Sequence, residues 1–184
     1  MKTYLKLINI SVNFKYLVFF FIYVSCISCQ NKEKKIQLGK ELISENLPVL
    51  LDGLGYFKIA EETLTASVYQ YVGRMDPDQE TVIEKFQDKF HLRNQEIFDR
   101  VIKLENIPKK IDDYPIFIKT DYGAQKQRNV IEVVLGNLII SKDNQYAAIE
   151  VIKSLGIGAK FEIYYFKQVN GKWVPDGNEV IALG

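Results

Sequence analysis

VIEVVLGNLIIS (residues 130–141), KDN (142–144), YAAIEVIK (146–153), GIG (156–158), KFEIYYFKQ (160–168), NG (170–171) and EVIAL (179–183) follow one another as a series of apolar-rich runs separated by turn formers. Runs of this length, rich in Val, Ile, Tyr and Phe and bounded by Gly, Asn and Asp, read as β-strands. Asn170-Gly171 tolerates positive φ at both positions, which a two-residue hairpin turn requires. Pro175-Asp176-Gly177 turns the chain again. The C-terminal half is therefore expected to be an antiparallel meander. Ile116 and Ile118 add a short strand ahead of it, separated by the polar loop 121–128.

Upstream of Pro108 the apolar period is helical. Ile36, Leu42, Ile43, Leu47 and Leu50 predict a first helix, with Pro48 ending or bending it and Gly53 and Gly55 closing it. Leu64, Val68, Tyr71 and Val72 fit one helical face between Tyr56 and Gly73. The Thr, Val and Tyr content also suits a strand; helix is the expectation, because Gly73 makes a stop. Asp76-Pro77-Asp78 reads as a helix start, since an Asp cap and a Pro at the first helical position complement the exposed amides there. From it Ile83, Phe86, Phe90, Ile97, Val101 and Leu104 form a stripe, predicting one long helix or two broken near residues 91–94. The charges of Glu80, Glu84, Lys85, Asp88 and Lys89 then make its solvated face. Helices first and strands afterwards predict an α+β domain, with the N-terminal helices packed on one face of a C-terminal antiparallel β-meander.

The first 29 residues carry a different message. Lys2, Lys6 and Lys15 precede Tyr16 to Cys29, a run of 14 residues without charge that ends in Ser25-Cys26-Ile27-Ser28-Cys29. A bilayer-spanning helix needs about 20 apolar residues, whereas a run of this length suits a secretory leader. The pattern resembles a bacterial lipoprotein signal, in which the leader is removed up to a cysteine whose sulfur is acylated. The resemblance implies a signal peptide over 1–28 and lipidation of Cys29 with fatty acyl chains such as palmitate. A flexible tether over 29–35 and a single domain over 36–184 follow from it. It also implies a place in the bacterial cell envelope, facing the periplasm or the exterior. Cys29 is preferred because polar residues 30–35 follow it directly; Cys26 is the alternative. Acylation of Cys29 leaves the mature chain without a free thiol, so no disulfide is expected.

The sequence holds 24 basic and 23 acidic residues, and removal of the three leader lysines leaves 21 against 23. That balance argues against nucleic acid, whose phosphates call for a basic surface. Gly156-Ile157-Gly158-Ala159-Lys160-Phe161 starts like a dinucleotide loop, but Phe161 replaces the third glycine and a strand follows, so it reads as a turn. No phosphate-binding P-loop and no Gly-x-Ser-x-Gly elbow occurs. His91 is the only histidine, and its expected role is a polar residue at a helix end or bend. Asp112, Asp113, Asp121 and Glu162 are the acids that a carboxylate-based enzyme would draw on. Asp112 and Asp113 read as a polar loop.

Glu162 alternates with Phe161 and Ile163 and so shares a sheet face with Tyr164 and Phe166. If helices cover the other face, these three residues form a shallow aromatic groove with an acid, the candidate ligand-binding site. The order of helices and strands, and the turn Asn170-Gly171-Lys172-Trp173, are similar to NTF2-like domains and nearly as much to cystatin-like ones. No cofactor or metal is expected. The favoured function is a lipid-anchored, non-catalytic binding or structural protein whose partners are the membrane and an envelope protein or glycan. A small NTF2-like enzyme or ligand carrier with an aromatic pocket in the curved sheet is the alternative. An immunity-type protein is the third reading.

Overall fold

In the computed structural model, residues 33–58, 63–76, 78–120 and 128–184 are described. The leader, Cys29, Pro77 and loop positions 121–127 lie outside the described residues. The chain divides into two compact units, residues 1–37 and 38–184. The described residues of the first, 33–37, are helical, although their charge reads as a tether as far as residue 35. The second unit is α+β: among the described residues, two helices and a curled, seven-stranded sheet.

Helix α1 covers residues 33–50 and is followed by a 3-10 turn, Leu54–Phe57. Strands β1 (Thr65–Tyr69) and β2 (Tyr71–Val72) precede helix α2 (Gln79–Phe90). The remaining strands are β3 (Ile102–Lys103), β4 (Lys110–Ile111), β5 (Tyr114–Lys119), β6 (Val130–Ile140), β7 (Tyr146–Leu155), β8 (Gly158–Val169) and β9 (Lys172–Leu183). Strands β6 to β9 form the expected antiparallel meander. The whole sheet, however, is mixed. β1 lies between β5 and β6 and runs parallel to both, with Ala66 opposite Ile116 and Ile131.

Three expectations about the N-terminal half need correction. Residues 63–73 of the segment 56–73 are not helical: Ala66 and Val68 point into the core and alternate with Ser67 and Tyr69, giving β1. Apolar residues four apart satisfy period 2 as well as period 3.6, so Leu64, Val68 and Val72 cannot choose between them. The stripe from Ile83 to Leu104 is broken near residue 91, as one of the two expectations had it, but no second helix follows: residues 92–101 are irregular and lead into β3. The helix stops at Phe90, where His91 adopts left-handed φ 53° and its N–H bonds the carbonyl of Asp88, while Leu92 N–H bonds that of Gln87. This two-bond closure at a left-handed residue is a Schellman-type stop. Pro48, finally, lies inside α1, which runs on to residue 50.

The helices do not share one face. Along β7, Ala147, Ile149 and Val151 join the core formed with Leu42, Ile43, Leu47 and Leu50 of α1, whereas Ala148 joins Val82 and Phe86 of α2. Period 2 sends these sets to opposite sides of the sheet. The α1 side is the larger core and includes Tyr164, Phe166 and Trp173. Trp173 Nε1 donates to the Leu38 carbonyl at 3.1 Å, and Asn46 Nδ2 donates to Leu42 O and Trp173 O at 2.9 and 3.4 Å. Close approach of α1 depends on Gly39: a Cβ there would lie 2.6 Å from Ile102 Cδ1 and 2.9 Å from Leu138 Cδ2.

On the other side, the apolar face of α2 packs over β6 to β9. Among the described residues no helix covers the part built from β5, β1 and the first half of β6. There Phe117 is 43% exposed, and Tyr71 of the neighbouring β2–β3 ribbon is 39% exposed.

Candidate binding cleft and buried polar clusters

Glu162, Tyr164 and Phe166 share one face of β8, as their spacing predicts, and that face is the one beneath α1. All three are buried, Glu162 to 1% exposure. Their surface is thus core, filled by side chains from α1 and Trp173. The acid is held in a closed network. Lys153 Nζ donates to Glu162 Oε2 (2.8 Å), to the Tyr164 hydroxyl (2.8 Å) and to the Asp52 carbonyl (2.5 Å), which uses all three of its hydrogens. Glu162 Oε1 accepts from Lys160 Nζ at 2.8 Å and from Asn178 Nδ2 at 3.1 Å. Burial alone pushes the Glu162 carboxyl up, but the hydrogen bonds and charges of Lys153 and Lys160 outweigh it and hold the group below its ordinary range. Burial pushes the Lys153 ammonium down against the pull of Glu162. The ensemble ties the turn after α1 to the sheet.

A second buried acid lies on the α2 side. Glu150 is fully buried on β7, opposite Gly136 of β6. Its Oε2 accepts from Asn137 Nδ2 at 2.6 Å, and its Oε1 meets no donor. Burial raises its carboxyl; the bond from Asn137 opposes the rise, and the charge of Asp78 adds to it, leaving the group at about 7.

Asn137 itself stands at a β-bulge, where the β6–β7 register shifts, with φ 45°. Its Oδ1 accepts from Met75 N–H (2.8 Å), its Nδ2 donates to Met75 O (3.0 Å), and its own N–H bonds the Gly73 carbonyl (2.9 Å). One side chain therefore fastens the segment between β2 and α2 to the sheet. Met75 lies directly over Gly136, where a Cβ would come within 2.6 Å of its side chain. Gly136-Asn137 inside a strand-like run carried the sequence signal for this bulge, because a glycine within a strand marks a bulge or a close neighbour.

The fastened segment walls a cleft of about 370 Å³ on the uncovered half of the sheet. Tyr69, Tyr71, Arg74, Met75, Val101 and Val134 line it. The two tyrosine rings meet edge to face, 6.3 Å apart. Arg74 is oriented by Gln79 Oε1, which accepts from its Nε at 3.1 Å and from its Nη2 at 2.6 Å; Gln79 Nε2 in turn donates to Asp76. Asp78 sits at the helix N-cap without a side-chain cap bond, so it is this chain of contacts that decorates the helix start. A concave surface with aromatic faces and an oriented guanidinium suits binding of a partly apolar, partly polar ligand. A helix over 56–73 hides this cleft, because only the strands β1 and β2 set Tyr69 and Tyr71 side by side.

The other candidates are dispersed. Asp112 and Asp113 form the exposed β4–β5 turn, where Asp113 pairs with Lys110. His91 caps α2, and Asp121 is outside the described residues. Among the described residues no group of three or more His, Cys, Asp or Glu side chains is placed to hold a metal, and no helix is long and apolar enough to cross a membrane. A smaller groove of about 160 Å³ lies between α1 and residues 102–107. No family model, curated protein or solved structure matches this chain.

Proposed function

We propose that this chain is a lipid-anchored, non-catalytic binding domain of the bacterial cell envelope, acylated at Cys29, that receives an envelope protein or glycan in the tyrosine-lined cleft. The cleft carries the binding part of the reading: it is concave, aromatic and served by an oriented arginine, on the part of the sheet that α2 leaves bare. The buried Lys153–Glu162 pair supports a structural use of the remaining charges, since it is sealed and saturated. The anchor part rests on the leader and the cysteine pattern. Several acyl chains on one residue hold a protein to a bilayer far more firmly than one.

Two measurements test the two parts separately. Labelled palmitate is expected to enter the wild type and Cys26→Ser but not Cys29→Ser; unchanged labelling of Cys29→Ser refutes the anchor. For the cleft, Tyr71→Ala and Arg74→Ala are expected to weaken capture of envelope proteins or glycans at least tenfold, with Lys142→Ala as a distant control. Equal capture by all four proteins refutes the site.

A further inference from the structure

The wall of the cleft is fastened from beneath by an acid that the binding surface itself does not use. We propose that Glu150 is a positioning residue for the cleft: through Asn137 it sets the Gly73–Met75 wall against the sheet, and its ionisation releases that wall. This rests on the cleft reading for its meaning, and on three separate observations for its mechanics.

The first is an oxygen without a partner. Glu150 Oε1 is fully buried and meets no donor, so a neutral carboxyl costs less there than a buried negative charge that only one donor, Asn137, offsets. The second is what covers it. Gly136 is the cross-strand neighbour of Glu150, and the Met75 side chain occupies the space above Gly136, so Met75 lies between this part of the sheet and the cleft. The third is the linkage. Asn137 bonds Glu150 with one amide hydrogen and Met75 with the other, and its Oδ1 holds the Met75 N–H. An ionised Glu150 needs water or a further donor at Oε1, and lifting Met75 from Gly136 would admit one.

The charged groups on the surrounding elements leave this logic intact. Asp78 at the start of α2 disfavours ionisation of Glu150. Arg74 and Asp76 on the wall are engaged with Gln79. Tyr165 on β8 and Glu179 on β9 bond each other at 3.3 Å, and Glu179 pairs with Lys85 of α2. No cation therefore pairs with Glu150 among the described residues. The raised carboxyl, at about 7, places the change at ordinary working pH.

The test is amide exchange of the whole protein between pH 6 and 8, corrected for the intrinsic pH dependence of exchange. Protection of the Met75 and Asn137 amides is expected to fall about tenfold over that range, the ratio that ionisation one unit beyond a midpoint near 7 produces. Glu150→Gln is expected to flatten the profile. Carboxyl carbon-13 NMR of the wild type supplies an independent midpoint, expected near 7. A midpoint in the ordinary glutamate range overturns the proposal, as does a pH slope that survives in Glu150→Gln. An equal loss of protection at the Val151 and Tyr164 amides reports global opening and overturns it as well. All these readouts use the protein without a partner, so failed capture at the cleft and failed proton linkage are separate results.

Discussion

Lys153 and Glu162 show how differently two halves of one buried pair resist removal. Lys153→Met leaves Glu162 with Lys160 and Asn178, and is expected to cost about 3 kcal/mol; Glu162→Gln leaves Lys153 buried without a counter-charge and is expected to cost about 5 kcal/mol. Urea unfolding at neutral pH measures both, and a reversed order refutes the assignment. Glu150 makes a prediction of opposite kind. Its folded carboxyl titrates near 7 instead of the ordinary 4.5, so between those values the unfolded chain loses a proton that the folded one keeps. Stability therefore falls as pH rises through this window and levels off above it. The stability of Glu150→Gln relative to wild type is expected to grow by about 3 kcal/mol from pH 4 to pH 8. Equal pH profiles for the two proteins contradict it. The parity of Glu162, Tyr164 and Phe166 was legible from the sequence because β-strands alternate. Their burial was not, since nothing local tells which layer lies above a strand.

At the scale of elements, the hairpin signal held through its stereochemical cause, whereas Pro48 did not end α1. Asn170-Gly171 turns β8 into β9 with φ 52° and 79°; α2 begins at Gln79, close to Asp76-Pro77-Asp78, but its N-cap Asp78 makes no side-chain cap bond. The other failures were of periodicity. Leu64, Val68 and Val72 are compatible with two repeats at once, and Ile97, Val101 and Leu104 keep the helical spacing beyond the break near residue 91 without forming a second helix. Long-range packing decided both. Gly39 illustrates the same point, for nothing in its neighbours announces that α1 presses on Ile102 and Leu138. Gly39→Val is expected to destabilise the protein by about 1–3 kcal/mol through overpacking, read as a lower urea midpoint. An unchanged midpoint places α1 farther from β3 and β6 than described. The cleft belongs to this scale too: it is the room left where a 12-residue helix ends before a seven-stranded sheet does.

For the molecule as a whole, the sheet is two constructions joined by one strand. The meander from β6 to β9 links neighbours in sequence, whereas β1 connects to partners fifty and more residues away. Pairings of the first kind close short loops and those of the second close long ones, which slows folding. Val68→Ala is accordingly expected to speed unfolding with little effect on the folding rate, and Ile149→Val to slow folding. Stopped-flow chevrons distinguish them, and a high φ-value at Val68 contradicts the order. The parallel seating of β1 has a bearing on biosynthesis as well. Emerging from the ribosome, Ala66 and Val68 find one flanking partner only when Ile131 and Val133 have also been made, so the nascent chain stays pliable until late and locks when its rear half arrives.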